Sequence, residues 1–123
     1  MRVCRLLLAL LLSVAPMLAQ NQNTTKQLSI QIVASGTSHL VNLSWAAGTP
    51  VSTCGAVAGY KVYKGTTSTS LALLTSTVTT IYVDQAVVSG QTYFYQVTAY
   101  ASSNTTCNPL ESGPSNQVSA VIP

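Results

Sequence analysis

The feature that most constrains this chain is a series of short apolar runs separated by turn-forming residues. From residue 28 onward the runs are rich in Val, Ile, Thr and Tyr, and clusters of Gly, Pro, Ser and Asn separate them. Such spacing is typical of an all-β sandwich or barrel, because each run suits one strand and each cluster favours a turn. The pattern predicts seven strands, at residues 28–34, 39–46, 59–64, 71–76, 79–83, 92–101 and 116–122.

Two of these runs alternate between apolar and polar residues. In the second, Val41, Leu43 and Trp45 share one face, and in the sixth, Tyr93 and Tyr95 share a face. Successive side chains of a strand point to opposite sides of a sheet, so one face of each strand is expected to lie in the core. The predicted core residues are Val41, Leu43, Trp45, Tyr60, Val62, Tyr93, Tyr95 and Val97.

Five fragments, taken in order, resemble the fibronectin type III family over residues 27–123. The fragments are VNLSW at 41–45, GYKVY at 59–63, YVD at 82–84, GQTYFYQVTAY at 90–100, and ES with SN at 111–112 and 115–116. The resemblance implies a seven-stranded immunoglobulin-like β-sandwich, with Trp45 between the two sheets. It also implies that the Tyr93 hydroxyl bonds to backbone upstream, as in a tyrosine corner.

Residues 1–19 have the features of a secretory signal peptide. Two arginines precede a short apolar run, which ends at small residues, and cleavage is expected after Ala19. The run is shorter than the roughly 20 apolar residues that span a bilayer, and no later segment is more apolar, so we expect no membrane anchor. The mature protein is therefore predicted to be secreted or periplasmic, with a flexible lead-in at 20–26 and one domain at 27–123.

Few charges remain once the leader is removed. They are Lys26, Lys61 and Lys64 against Asp84 and Glu111, and every arginine lies in the leader. Three scattered lysines cannot neutralise a run of phosphates, so nucleic acid and anionic membranes are not expected as partners.

The cysteine count predicts one disulfide. Cys4 lies in the leader, which leaves Cys54 and Cys107, an even number in an exported chain. In the fold that the resemblance implies, the two loops that carry them lie at the same end of the sandwich. A bridge there would close a loop of roughly 54 residues and add about 4 kcal/mol in the chain-entropy model. A metal pair or a redox-active thiol is the alternative, although neither further ligands nor a Cys-x-x-Cys spacing accompanies them.

Residues for catalysis are sparse. His39 is the single histidine and is interpreted as a solvated side chain at a strand edge, while Asp84 is predicted to accept backbone donors at a turn. A glycosidase would need Asp84 and Glu111 within about 5 to 10 Å, which the fold disfavours. No nucleophile or phosphate-loop motif is present, so we expect no enzyme, no cofactor and no metal site; a hydrolase is the disfavoured alternative.

Two surfaces are candidates for binding an extracellular protein or carbohydrate. One is the loop end of the sandwich, residues 47–58 and 102–115, because long loops on a rigid scaffold often carry recognition. The other is the outward face of the third and sixth strands, where Tyr63, Phe94 and Tyr100 are expected. Loops that are merely tolerated, aromatics that only stabilise strand pairing, and a spacer without a ligand remain the alternatives.

Overall fold

The computed structural model describes residues 26–35, 38–49, 54–101 and 110–123. Every regular element in these ranges is a β-strand. No helix in this part of the chain could cross a membrane. The predicted signal peptide, residues 1–19, lies outside the described residues, as does the lead-in up to residue 25, and both stay predictions.

The described residues form seven strands, in the order that the alternation predicts. Two antiparallel sheets result, with strand orders β1-β2-β5 and β4-β3-β6-β7, and they pack as a sandwich. The predicted all-β, immunoglobulin-like architecture is therefore confirmed. The strands are β1 (Lys26–Ser35), β2 (Ser38–Ala46), β3 (Val57–Thr67), β4 (Ser70–Thr77), β5 (Ile81–Asp84), β6 (Thr92–Ala101) and β7 (Val118–Val121).

Strand β3 is longer than the predicted 59–64, and β7 is shorter than the predicted 116–122. Strand β3 begins at Val57, opposite Ala101 of β6, and continues to its pairing with β4 at the hairpin tip. Strand β7 begins only at Val118. The preceding segment bonds to β6 at separate residues through both backbone and side chains, and it bonds to β1 through Asn116. The other strand ends differ from the predicted ones by no more than two residues.

Alternate side chains of both sheets fill the space between them. Trp45 meets Tyr60 edge to face, with ring centroids 5.6 Å apart. The Tyr60 hydroxyl accepts a hydrogen bond from the Gly48 amide at 3.1 Å, so this large ring is buried with its polar atom satisfied. The structure buries all eight residues predicted for the core, Val41, Leu43, Trp45, Tyr60, Val62, Tyr93, Tyr95 and Val97, and adds Leu28, Ala99, Ala120 and Ile122.

Tyr93 forms the corner that the family resemblance implies. The Val88 amide, five residues upstream, donates to the Tyr93 hydroxyl at 3.3 Å. Between them the chain turns at Gly90, whose φ of +78° favours glycine. The ring thus packs in the core while its hydroxyl holds the turn that leads into β6.

The segment before β7 bonds to β6 through both backbone and side chains, without forming a continuous strand. The Ser112 hydroxyl accepts from the Ala99 amide at 2.9 Å, and the Ser115 hydroxyl accepts from the Val97 amide at 3.0 Å. The Asn116 amide then bonds both backbone groups of Leu28 in β1, at 2.8 and 3.2 Å. One sheet is therefore fastened to the other at this edge without a continuous strand.

A buried ion pair also joins the two sheets. Lys64 of β3 donates to Asp84 of β5 at 2.7 Å, and the Tyr95 hydroxyl donates to the same carboxylate oxygen at 2.8 Å. Asp84 is only 1% exposed, and its other oxygen accepts from the Ala86 amide, as expected for an aspartate at a turn. The Lys64 ammonium lies 4.2 Å from the centre of the Tyr93 ring. Burial and the adjacent carboxylate raise the pKa of Tyr95 well above its usual value, so it stays a donor.

We predict strong coupling between Lys64 and Asp84. Asp84→Asn should lower the free energy of unfolding by about 3 kcal/mol, because it leaves a largely buried ammonium without its anion. Adding Lys64→Met should restore part of that loss, which denaturant unfolding of the two single variants and the double variant would measure. Glu111→Gln, at a half-exposed ion pair, serves as the comparison and should cost about 1 kcal/mol or less. Additive effects at Lys64 and Asp84 would contradict the coupling.

Gly59 is predicted to tolerate no side chain. A Cβ at this position would lie 2.5 Å from the Tyr100 hydroxyl and 2.9 Å from the Thr77 carbonyl oxygen, which is backbone and cannot move aside. Gly59→Ala should therefore destabilise the domain by about 1 to 3 kcal/mol. Gly113→Ala is the matched control, since nothing lies within 4 Å of the added carbon. Equal melting temperatures for the two variants would contradict the close approach.

Candidate binding surface

The outer face of the four-stranded sheet carries alternate residues of β3 and β6. Lys61 lies opposite Thr98, and Tyr63 lies opposite Gln96. Val62 lies between Lys61 and Tyr63 in the chain and is fully buried. Because side chains alternate along a strand, Lys61 and Tyr63 therefore point to the outside. The register therefore groups an ammonium, a phenol, a hydroxyl and an amide on one patch of sheet.

Glu111 connects three of these side chains. Its backbone forms an isolated bridge with Tyr100, which brings the carboxylate back over the sheet. Lys61 donates to one carboxylate oxygen at 2.5 Å. Thr98 donates to the other at 2.6 Å, and the Tyr63 hydroxyl donates to that same oxygen. Hydrogen bonds to an ionised carboxylate are stronger than neutral ones, so the network holds all four side chains in one arrangement.

The network keeps Glu111 ionised at neutral pH. Partial burial opposes ionisation, but the hydrogen bonds from Lys61, Thr98 and Tyr63 outweigh it and hold the pKa of Glu111 below its ordinary 4.5. The hydrogen bond to Glu111 raises the pKa of Lys61, and burial together with the same carboxylate raises the pKa of Tyr63. Lys61 therefore stays charged and Tyr63 stays protonated.

The tip of the β3–β4 hairpin forms one wall beside this network. Gly65 permits the bend, because a Cβ there would lie 2.0 Å from the Ser70 carbonyl oxygen. The Gln117 side chain, next to β7, donates to the Ser68 carbonyl at 2.8 Å. Since β6 lies between β3 and β7, this bond holds the tip across the sheet.

Between this tip and the segment that carries Glu111 lies a groove of about 350 Å³. Its lining combines the network with hydroxyls and an amide, and with the apolar side chains of Leu71 and Pro114. We call it the Tyr63 groove. Its residues are Tyr63, Ser68, Thr69, Leu71, Gln96, Thr98, Glu111 and Pro114.

The three aromatics predicted on this face occupy different places along it. Tyr63 lines the groove and is held by Glu111. Tyr100 lies over Gly59. Phe94 pairs with Gly65 on one side and Ser119 on the other. All three are half-buried, and Tyr63 is the one of the three that lines the groove.

The loop end of the sandwich is described only in part. Cys54 is buried against Ala101, the last described residue of β6 before the segment that contains Cys107. Cys107 itself lies outside the described residues, as do 50–53 and 102–109. The burial of Cys54 next to Ala101 is compatible with the predicted disulfide, which stays a prediction.

His39 and Asp84 do not line the groove. His39 is half-buried, and its Nδ1 is buried without a hydrogen-bond partner among the described residues, which differs from the solvated side chain expected at a strand edge. Asp84 lies between the sheets, on the other side of β3 from Glu111. Within the described ranges no three His, Cys, Asp or Glu residues come together as metal ligands.

Sequence reasoning missed the roles of Lys61 and Glu111. Glu111 follows a long loop and lies 50 residues from Lys61 in the chain, so no local spacing connects them. The available signal was the spacing of two lysines. Lys61 and Lys64 are three residues apart, so in a strand their side chains lie on opposite faces. Each lysine can therefore meet a different one of the two acidic residues.

Comparisons with known proteins show which fold this is. A Fn3-like protein from Clostridium thermocellum is 24% identical with a TM-score of 0.65, over 85% of this chain and 96% of that one. The sixth fibronectin type III domain of human fibronectin type III domain containing protein 3 is 16% identical with a TM-score of 0.60, over 81% of this chain and 86% of that one. The chain has the fibronectin type III fold. No family model and no curated protein sequence matches it.

A third similar structure contains this fold within a larger protein. Pectate lyase PelI from Erwinia chrysanthemi, in complex with tetragalacturonic acid, is 25% identical with a TM-score of 0.53. The match covers 76% of the present fibronectin type III-like chain but 28% of the lyase chain. The likeness concerns a minor part of that enzyme.

The Glu111 network makes a testable contribution to stability. Because the folded pKa of Glu111 is lower than 4.5, its stabilisation is fully present above about pH 4.5 and is lost as the pH falls through the lowered pKa. The difference in unfolding free energy between wild type and Glu111→Gln should therefore be constant near neutrality and shrink in acid. Chemical denaturation at a series of pH values measures it. A difference that grows on acidification would contradict the network.

Proposed function

We propose that this chain is an exported, non-catalytic fibronectin type III-like module that binds an extracellular protein or carbohydrate through the Tyr63 groove. Export is inferred from the leader at residues 1–19. Binding is inferred from the groove, which is the one observation that carries the proposal.

The Tyr63 groove combines apolar and polar lining residues, and hydrogen bonds fix two of its side chains. Apolar surface from Leu71, Pro114 and the Tyr63 ring alternates with polar groups that confer direction, as in most ligand sites. Glu111 holds Tyr63 and Thr98 in place before any ligand arrives. A preformed arrangement lowers the entropy lost on binding.

The outer face of the other sheet offers a weaker candidate. It carries a groove of about 410 Å³ over β1, β2 and β5. None of its lining residues is charged, so it lacks a carboxylate that orders its side chains as Glu111 does in the Tyr63 groove. The groove is lined by Ser29, Ile30, Gln31, Asn42, Leu43, Ser44, Ile81, Tyr82 and Val83.

The positions of the carboxylates support a role without catalysis. Asp84 is paired with Lys64 between the sheets, and Glu111 is paired with Lys61 outside. The two carboxylates therefore face opposite sides of the four-stranded sheet and cannot flank one substrate, as a glycosidase pair must.

Retention on extracellular material tests the proposal. The mature wild type, Tyr63→Ala and Val83→Ser would be incubated with cell envelopes and secreted polymers of the source. Tyr63→Ala should reduce retention at least about tenfold, because truncating a central contact commonly costs more than about 1.4 kcal/mol. Val83→Ser, on the opposite sheet, should match wild type.

Two results would count against this function. Equal retention of wild type and Tyr63→Ala, with both variants folded by circular dichroism, would move the site elsewhere. Failure of the wild type to bind any extracellular component would favour a spacer.

A further inference from the structure

In residues 54–101 and 110–123, each lysine and each acidic side chain is paired within the domain. Lys61 pairs with Glu111 at 2.5 Å, and Lys64 pairs with Asp84 at 2.7 Å. These are the lysine and acidic side chains of residues 54–101 and 110–123, and 38–49 contribute none. The surface of these two ranges therefore presents hydroxyls, amides and apolar groups, and its lysine and carboxylate side chains are paired.

The charge that lines the Tyr63 groove is also paired. Glu111 is ionised, but Lys61 and two hydroxyl donors occupy its oxygens. An anionic ligand would approach a carboxylate whose counter-cation is already engaged. It would lose hydration without gaining a new ion pair in return.

An uncharged polyhydroxyl ligand fits the groove better. The Gln96 amide and the hydroxyls of Ser68 and Thr69 can exchange hydrogen bonds with sugar hydroxyls. The Tyr63 ring and Leu71 provide apolar surface for the C–H faces of a sugar. A volume of about 350 Å³ lies at the lower end of ligand sites, which suits a short stretch of a polymer.

A folded protein partner is less well matched. A stable protein interface covers about 800 Å² on each side and centres on buried apolar or aromatic residues. On this face the aromatic side chains are half-buried: Glu111 binds Tyr63, and Tyr100 lies over Gly59. The exposed Leu73 and Val121 lie on opposite edge strands.

We propose that the Tyr63 groove binds an uncharged polysaccharide, rejects polymers of uronic acids, and does so independently of salt. This inference rests on the proposed function and names its ligand class. It also separates the chain from the lyase above, whose bound tetragalacturonic acid is a polyanion at neutral pH.

Affinity electrophoresis tests the ligand class directly. The mature domain would migrate through gels that contain β-glucan, xyloglucan or galactomannan, and through gels that contain polygalacturonate or alginate. We expect at least one neutral polymer to retard the wild type and Val83→Ser, and to release Tyr63→Ala. The acidic polymers should retard none of the three.

Salt and one charge variant sharpen the test. Isothermal titration with the neutral polymer should give dissociation constants within about twofold at about 0.01 M and about 1 M NaCl, between which the screening length falls from about 30 Å to about 3 Å. Glu111→Gln leaves Lys61 without its anion and should gain salt-sensitive retardation by polygalacturonate.

Each opposite result overturns the inference. Binding of polygalacturonate by the wild type, a strong salt dependence with the neutral polymer, or no retardation by any neutral polymer would each do so. A protein or an acidic glycan that is retained by wild type but not by Tyr63→Ala would overturn the neutral-glycan inference alone. The proposed binding function would then stand.

Discussion

The pairing of β3 with β6 is the interaction on which the rest of this structure depends. It runs from Val57 opposite Ala101 to Gly65 opposite Phe94, through the middle of the four-stranded sheet. Because side chains alternate, the register that buries Val62 against Val97 also places Tyr63 and Thr98 on the outside. A slip of one residue would exchange the core with the groove, so one register determines both the core and the groove.

Charge in this domain is arranged by the same alternation. Two lysines three residues apart in β3 reach opposite faces, and each meets one of the two carboxylates. The inner pair joins the sheets, with Tyr95 as an added donor, whereas the outer pair orders a surface. The two pairs differ in exposure: loss of one partner is costly in the buried inner pair and less costly in the partly solvated outer pair.

Much of the fold could be predicted from the sequence because its signals are local. The alternation of Val41, Leu43 and Trp45 is visible within five residues, and the Tyr93 corner spans six. The contacts of Asp84 show where local inference ends: its bond to the Ala86 amide was predictable from turn chemistry, but its partners Lys64 and Tyr95 depend on how two sheets face each other. Strand patterns do not specify that packing.

The candidate site was harder to predict because its walls come from segments without strand periodicity. The alternation of side chains along a strand predicts which aromatics point outward. It does not predict that Tyr100 lies over Gly59, which has no side chain to prevent that contact. Nor does it predict that the Gln117 side chain bonds to the β3–β4 hairpin tip. Proteins that share this sandwich core can differ in the loops and hairpins that form the groove walls. Likeness in fold to an intact domain or to part of a lyase therefore carries no ligand with it. The proposed ligand class rests instead on Tyr63, Glu111 and their neighbours, where an ionised carboxylate already has its cation bound.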